Sequence, residues 1–404
     1  MVLTPVLQDK IDNIGQVDIV VGIPMKDVES TVVHTLNVVG MGLQKYFEGV
    51  DSLVVVSNGF SSDKTKELAE MFSLPPAIEK IVTDDVGGAG KGSAVRTTLE
   101  IAMATDAKCI LLVDGDLLSI SPFWVAHLAE PILFGADLVV PFYIRDKYDG
   151  VITNHITYPL ISSVFGANIR QPIGGDFAIS RRLAERLLKH PIFPNHFGVD
   201  ICITTVAAAE RMNIRESILG LKIHSSVMGY INTHNHLSAM FQQVVRTQFE
   251  LMEYYEEKWK NVSQKVKIQK RKNTHQYGQK PVPVKVDPMK LILHFKEGFK
   301  THSELLEQIL PKDVFKKVCA CTQQNRFDPE TWTKIVYHTA AEYKRSGTEK
   351  KKVLILDALH NLWLCRYAHF VQETQDMNTE EAEKIIKNQA ETFERLIPYL
   401  KEIY

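Results

Sequence analysis

The stretch Cys109-Ile-Leu-Leu-Val-Asp-Gly-Asp-Leu-Leu118 runs five apolar residues directly into two carboxylates, Asp114 and Asp116. Neighbouring carboxylates repel, and burying either one unpaired is costly. A divalent cation reverses that cost. Hard oxygen donors suit Mg²⁺, Mn²⁺ or Ca²⁺, and such ions bridge protein carboxylates to substrate phosphates. In an extended segment, side chains two apart point the same way. Asp114 and Asp116 can therefore share one ion, or face an ion and a ribose. Taken alone, Asp-x-Asp more often marks a loop or a helix cap. Its place at the end of an apolar strand makes it a candidate metal site.

Working outward, the first part of the chain alternates short apolar runs with helical spacing. Val17 to Pro24, Ser52 to Ser57, Ile81 to Thr83 and Ile110 to Val113 read as strands. Ser30 to Phe47 and Ser93 to Ala104 read as helices, and Ser61 to Thr65 as a helix start. This alternation predicts a mainly parallel sheet covered on both faces. Ligands of such sheets collect beyond the carboxyl ends of the strands, where Asp114 and Asp116 sit. Residues 235–260 have the spacing of one long amphipathic helix. A basic run, Lys265 to Lys272, follows and reads as a linker or solvated hairpin. From Asp287 onward the pattern is helical: about 287–309, 312–321, 328–345, 349–375 and 379–402. The expected organisation is an α/β domain over 1–230, a long helix and linker over 231–286, and an all-α domain over 287–404.

The chain has 404 residues, 45% hydrophobic and 24% charged, with a formal net charge of -1. That balance gives no global field toward nucleic acid or an anionic membrane. No apolar run approaches the roughly 18 residues of a membrane span. Five cysteines (109, 202, 319, 321 and 365) fall in no metal-finger spacing. The N-terminal stretch MVLTPVLQDKIDNIG lacks a basic start and an apolar core. Together these lead us to expect a cytoplasmic protein.

A first strand ending in Gly22-Ile-Pro24, a second ending in Ser57-Asn58 and a later Asp-x-Asp together resemble a GT-A nucleotide-sugar glycosyltransferase. Further segments narrow the resemblance: Gly90-Lys-Gly92, Arg145 to Thr153, Gln171 to Asp176, Phe197 to Asp200 and Lys222-Ile-His224. Their order and spacing are similar to mannosylglycerate synthase, and several are shared with glucosyl-3-phosphoglycerate synthases. Arg326-Phe-Asp, Trp332, Tyr337-His338, Leu362-Trp363 and Tyr367 extend the resemblance into the helical tail.

The resemblance implies a Rossmann-like GT-A domain followed by an all-α domain. It also implies a Mn²⁺- or Mg²⁺-dependent, retaining hexosyl transfer. Asp116 and His224 would hold the metal, with Asp114 on the ribose or a metal-bound water. Pro24, Met25, Lys26 and Glu29 would lie along base and ribose, beside Ser57 and Asn58. Glu29 reads equally well as a first-turn helix acid. Lys91 would approach the diphosphate or sugar, and Gly115 sits between the two acids. Gly174, Gly175 and Asp176 would wrap the sugar, and Asp200 would stand near the reacting centre.

Arg145, Asp149, Val151 and Thr153 would bind the acceptor, since a guanidinium offers a two-pronged donor to a carboxylate. Relatives that use phosphoglycerate carry an arginine within Gly-Arg-Val-Thr. Here the stretch is Gly150-Val-Ile-Thr153, with Lys147 or Arg170 as the substitute cations. The expected partners are a nucleoside-diphosphate sugar (GDP-mannose or an NDP-glucose), glycerate or a related small acid, with 3-phosphoglycerate or glucosylglycerate as the alternative acceptor, and in some assemblies a second copy of the chain. The product would be a compatible solute such as mannosylglycerate or glucosylglycerate. A sugar-phosphate nucleotidyltransferase is the rival reading. It would carry a Gly-rich basic stretch after its first strand, where this chain has Gly22-Ile-Pro-Met-Lys-Asp27.

Overall fold

The computed structural model describes residues 3–225, 234–262, 264–271, 279–324 and 326–404. The chain divides into two compact units. The first comprises Met1–Ile144, Gln171–Thr233 and Val266–Pro281; the second comprises Arg145–Arg170, His234–Lys265 and Val282–Tyr404.

In the first unit, strands β1 (Ile19–Met25), β2 (Ser52–Asn58), β3 (Ile78–Asp84) and β4 (Cys109–Leu112) come first in the chain. They are followed by β5 (Leu138–Ile144), β6 (Phe177–Ser180), β7 (Ile214–Leu221) and β8 (Gln269–Arg271). Among the described residues they form one sheet in the order β3-β2-β1-β4-β6-β5-β7-β8. Every pairing is parallel except those of β6 with β4 and β5.

Helix α1 (Pro5–Ile14) begins on a Thr4 cap and precedes β1. Helices α2 (Val32–Tyr46), α3 (Thr65–Met71), α4 (Lys91–Ala104) and α5 (Pro122–Leu133) connect the early strands. Ile19, Val21 and Ile23 face Leu36, Val39 and Leu43 of α2 and Trp124 and Leu128 of α5 in one core. Each such fully buried aliphatic side chain contributes about 1.5–3 kcal/mol relative to exposure. The run Ile110 to Val113 is wholly buried, so it reads as an unbroken apolar string.

β3 extends over seven residues, beyond the expected Ile81-Val-Thr. β3 is the last strand of the sheet, with one edge unpaired; its Glu79 is exposed, and its Lys80 donates to the Ala69 and Glu70 carbonyls. Part of the expected basic linker, Gln269–Arg271, instead pairs with β7 as a short parallel strand. Lys272 lies outside the described residues.

All regular elements described in the second unit are helical. Thr153–Thr157 is a π-helical turn that runs into α6 (Tyr158–Phe165). The expected single helix over 235–260 is two, His234–Tyr254 and Glu256–Lys260, broken at Tyr255. With α7 (Arg181–Lys189) and α8 (Val199–Ala209) of the first unit, these two become α9 and α10. They are followed by α11 (Pro288–Ile309), α12 (Lys312–Gln324), α13 (Pro329–Arg345), α14 (Glu349–Thr374), α15 (Thr379–Arg395) and α16 (Ile397–Ile403). Asp328 caps α13, and Asn378 and Glu381 form a capping box on α15. Trp332, Tyr337, Trp363 and Phe393 are fully buried. The Trp332 ring N–H donates to the His155 carbonyl at 2.9 Å, and the Tyr337 hydroxyl to the Phe393 carbonyl at 2.7 Å. No described helix is long and apolar enough to cross a membrane.

Candidate active site

Just beyond β4, Asp114 is the hub of a charged cluster. Its backbone N–H donates to Asp176 Oδ1 at 2.8 Å. Lys91, the first residue of α4, places Nζ 2.9 Å from Asp114 Oδ1 and 3.1 Å from Asp200 Oδ2. Lys222, just past β7, places Nζ 2.7 Å from Asp114 Oδ2 and 2.8 Å from Asp176 Oδ2. The same ammonium donates to the Gly174 carbonyl at 2.8 Å and lies 5.1 Å from the centre of the Tyr143 ring. The Tyr143 hydroxyl donates to Asp176. Three carboxylates thus meet two ammonium groups in a water-poor setting.

The electrostatics follow from that inventory. Burial alone would raise the Asp114 pKa, but Lys222 and Lys91 hold it far below the usual carboxylate range. Burial would lower the Lys91 pKa, and Asp114 and Asp200 drive it up instead. Asp200 is pushed upward by burial, and the charge of Asp114 works against the relief that Lys91 gives. The repulsion expected between Asp114 and Asp116 is answered on the Asp114 side by two lysines.

Three glycine positions here are dictated by contact. Gly175 has φ +92°, and a Cβ there would fall 2.2 Å from Asp114 Oδ2 and 2.9 Å from Lys222 Nζ. Gly90 and Gly92 admit the protein's own backbone. Added Cβ atoms would fall 2.2 Å from the Asn195 carbonyl oxygen and 1.9 Å from that of Pro194. The Ser93 N–H at the start of α4 donates to the Asn195 carbonyl at 3.3 Å. The close approach expected of a ligand at this loop is made in part by residues 194–195.

Asp116 and His224 are brought together by an antiparallel clip. Leu117 bridges His224, the Leu118 N–H donates to the Ile223 carbonyl at 2.8 Å, and the Ser225 N–H donates to the Asp116 carbonyl at 3.0 Å. Ser119 Oγ accepts from the Ile223 N–H and donates to the Leu221 carbonyl, both at 2.8 Å. His224 Nδ1 consequently lies 3.4 Å from Asp116 Oδ2. Among the described residues no three His, Cys, Asp or Glu side chains converge as a metal cage. Mg²⁺ and Mn²⁺ sites that also use substrate phosphates need only one or two protein donors. The carboxylate–imidazole pair, each side chain under one-fifth exposed, fits that smaller requirement.

Around the ends of β1 and β2, two loops are stitched by side-chain caps. The Asp27 N–H donates to Ser61 Oγ, the Val28 N–H to Thr65 Oγ1 and the Glu29 N–H to Asp63. In return the Ser62 N–H donates to Asp27 and the Lys64 N–H to Glu29 Oε2 at 3.1 Å. Glu29 precedes α2 and ties the two loops together, so it is not a first-turn acid. Pro24 and Met25 close against Gly115: the Pro24 carbonyl oxygen and Met25 Cγ would each be 2.8 Å from a Cβ added there. Ser57 donates to the buried Asp85 at 2.7 Å and Asn58 to Asp84 at 2.7 Å. The charge of Lys26 works on Asp85 against the upward push of burial.

The acceptor candidates Arg145, Asp149, Val151 and Thr153 belong to the second unit. Arg145 Nε is 3.9 Å from Asp149 Oδ2, and Gly150 turns the chain between them with φ +70°. Arg145 Nη1 and Thr153 Oγ1 both border Gly150, and Val151 and Thr153 are buried. The two substitute cations are engaged elsewhere. Arg170 forks onto Glu383 at 2.9 Å, and Lys147 donates to the carbonyls of Thr374 and Met377 at 2.5 and 2.6 Å.

Lys222 and Tyr143 were not among the expected site residues. A lysine two before His224 was the only available signal for Lys222. Nothing marks Tyr143 within the apolar run of β5.

Residues 73–244 match the family model described as "Mannosylglycerate synthase, GT domain". Mannosylglycerate synthase of Rhodothermus marinus is 28% identical over 134 residues, which are 31% of this chain and 34% of that protein. The Selaginella moellendorffii enzyme is 26% identical over 151 residues, 35% of each chain. The match therefore spans about a third of these curated relatives. Among solved structures, glucosyl-3-phosphoglycerate synthase of Mycobacterium tuberculosis with phosphoglyceric acid aligns with TM-score 0.46 and 23% identity. That alignment covers 62% of this chain and 84% of the other. The same enzyme with Mn²⁺, UDP and glucosyl-3-phosphoglycerate aligns with TM-score 0.47 and 24% identity, over the same shares. The chain resembles these GT-A glycosyltransferases and pairs an α/β unit with a helical one.

Proposed function

We propose that the chain is a retaining hexosyltransferase that moves a hexose from a nucleoside-diphosphate sugar to the hydroxyl of glycerate or a related small carboxylated acceptor. The observation that carries this reading is the acid–lysine cluster of Asp114, Asp176, Asp200, Lys91 and Lys222. It lies beside the Asp116–His224 pair at the carboxyl ends of the parallel strands of a mainly parallel sheet. All of these residues fall within the segment matched by the synthase family model.

In this reading Asp116 and His224 hold a divalent cation, which when bound offsets charge on the leaving diphosphate. Lys91 adds a fixed ammonium for the same developing charge. Asp114, kept ionised by two lysines, accepts from donor hydroxyls. Pro24 to Glu29, Ser57 and Asn58 border the nucleoside, and Gly174 to Asp176 border the sugar. Both Asp176 oxygens are committed, one to the Asp114 N–H and the other to Tyr143 and Lys222. That commitment disfavours Asp176 as a covalent nucleophile and supports attack from the face of the departing phosphate. Asp200 stands beside Lys91 as the remaining carboxylate near the reacting centre.

Arg145 and Thr153 are the acceptor donors, with Asp149 orienting the guanidinium and Val151 shaping the turn. The engagement of Lys147 and Arg170 within the helical unit favours glycerate over 3-phosphoglycerate.

The test is a donor-by-acceptor screen with product identification, with Mn²⁺ and with EDTA. Release of nucleoside diphosphate together with a glycosylated acid, lost in EDTA, supports the reading. Release of pyrophosphate would assign nucleotidyl transfer instead, and no turnover of any pair would overturn the proposal.

A further inference from the structure

We infer that the helical unit holds a buried site for a small oxyanion, a carboxylate or a phosphate, built on Arg366, His155 and His369. Arg366 lies on α14 and is 2% exposed. A guanidinium taken out of water is retained only when an anion or a full set of acceptors offsets the loss of hydration. Among the described residues Arg366 has no hydrogen-bonded anion and no full set of acceptors. Nη1 meets only His369 Nδ1 at 3.3 Å, and Nε has no hydrogen-bond partner. The carboxylate acting on it is Glu373, on an exposed part of the same helix, and burial pulls the guanidinium down to about 10.

His155 makes the same point independently. It sits in the π-helical turn, is 1% exposed, and leaves both ring nitrogens without a partner. A neutral imidazole carries one donor and one acceptor, and buried polar atoms are nearly always paired. Its ring meets Phe370 edge-on at 5.0 Å and Tyr367 at 6.4 Å. Arg366, His369 and Phe370, at helical spacings of three and four, therefore share the side of α14 near the π turn. Burial first, then the charges of Arg366, Arg170 and His369, keep His155 uncharged. Arg170 is already answered by Glu383. What remains is a planar cation whose Nε has no acceptor and a His155 imidazole whose N–H has none either. An oxyanion of a few atoms supplies the missing acceptors, two of them to the guanidinium edge.

The inference stands apart from the transfer reading, because none of these residues belongs to the acid–lysine cluster. The test is calorimetric titration of the full chain, without donor or metal, using potassium phosphate and potassium glycerate against potassium chloride of equal ionic strength. Saturable binding of at least one probe is expected. It should weaken at least about tenfold in Arg366→Met, since a charged hydrogen-bond pair is lost. Phosphate alone binding would identify a phosphoryl ligand, and glycerate alone a carboxylate. His155→Phe keeps the ring packing and should also weaken binding, which serves if Arg366→Met does not fold. No saturable heat with either probe, or wild-type affinity in these variants, would overturn the inference.

Discussion

Lys222 gives the sharpest test of the charged cluster. Its side chain is 4% exposed and reaches two carboxylates, one carbonyl and one aromatic face. Lys222→Met keeps the length and removes the charge. Asp176, with no exposure, then loses its ammonium and keeps only the Tyr143 hydroxyl and the Asp114 N–H. Asp114 keeps Lys91 at 2.9 Å. Removing one partner of a buried pair costs about 3–5 kcal/mol. The surviving contacts put this case at the lower end, about 3 kcal/mol, which in a domain of this size is about 6–12 °C in Tm. Thermal unfolding followed by circular dichroism reads the stability term. Because Asp114 would no longer be held from the Gly174 side, the KM for the sugar donor should also rise. Lys222→Arg should recover part of both effects. A Tm within about 1 °C of wild type, with donor KM unchanged, would show that Lys222 does not organise the site.

Four further outcomes are expected. Gly175→Ala should cost both stability and turnover, because its Cβ would fall 2.2 Å from Asp114 Oδ2 at a φ of +92°; a fully active variant would remove Gly175 from the site. Asp116→Ala and His224→Ala should each raise the Mn²⁺ concentration needed for half-maximal turnover, and an unchanged titration would exclude that side chain as a ligand. Arg145→Ala should raise acceptor KM while donor KM stays constant. Asp85 has a pKa raised chiefly by burial, so it binds its proton more tightly folded than unfolded. Its ionisation therefore lowers stability as pH rises from the unfolded pKa near 3.9 through the folded one. The Tm gain of Asp85→Asn over wild type should accordingly grow from pH 3.5 to pH 7, and a pH-independent difference would refute the assignment.

Much of the fold was legible because buried parallel strands leave unbroken apolar strings. Val20-Val21 and Leu53 to Val56 declare themselves with no partner in view. The helices of the tail were equally plain, since a cap at Asp328 or Asn378 followed by a periodic apolar stripe is a local signal. β3 was only half visible, because a last strand carries charge at Glu79 and Lys80. The break at Tyr255 leaves no mark, since tyrosine neither ends nor favours a helix strongly. The placement of 145–170 with the helical unit has no local signal either, because it is decided by packing against residues far along the chain, such as Glu383 and Trp332.

The site divides along the same line. Two acids at the end of an apolar run had to be answered by positive charge, and that requirement is written in ten residues. Which charge answers them is set by contacts between elements far apart in the chain. Lys91 arrives from the start of α4, and Lys222 from the end of β7, 108 positions beyond Asp114. The clip between residues 117 and 224 settles the rest: with His224 against Asp116 and both lysines on Asp114, the two acids face different chemistry. Asp114, held ionised by fixed ammonium groups, is suited to accept hydrogen bonds. Asp116, beside an imidazole, is suited to share an ion. Exchanging the two carboxylates for amides one at a time should therefore give different losses, donor affinity for Asp114→Asn and metal affinity for Asp116→Asn.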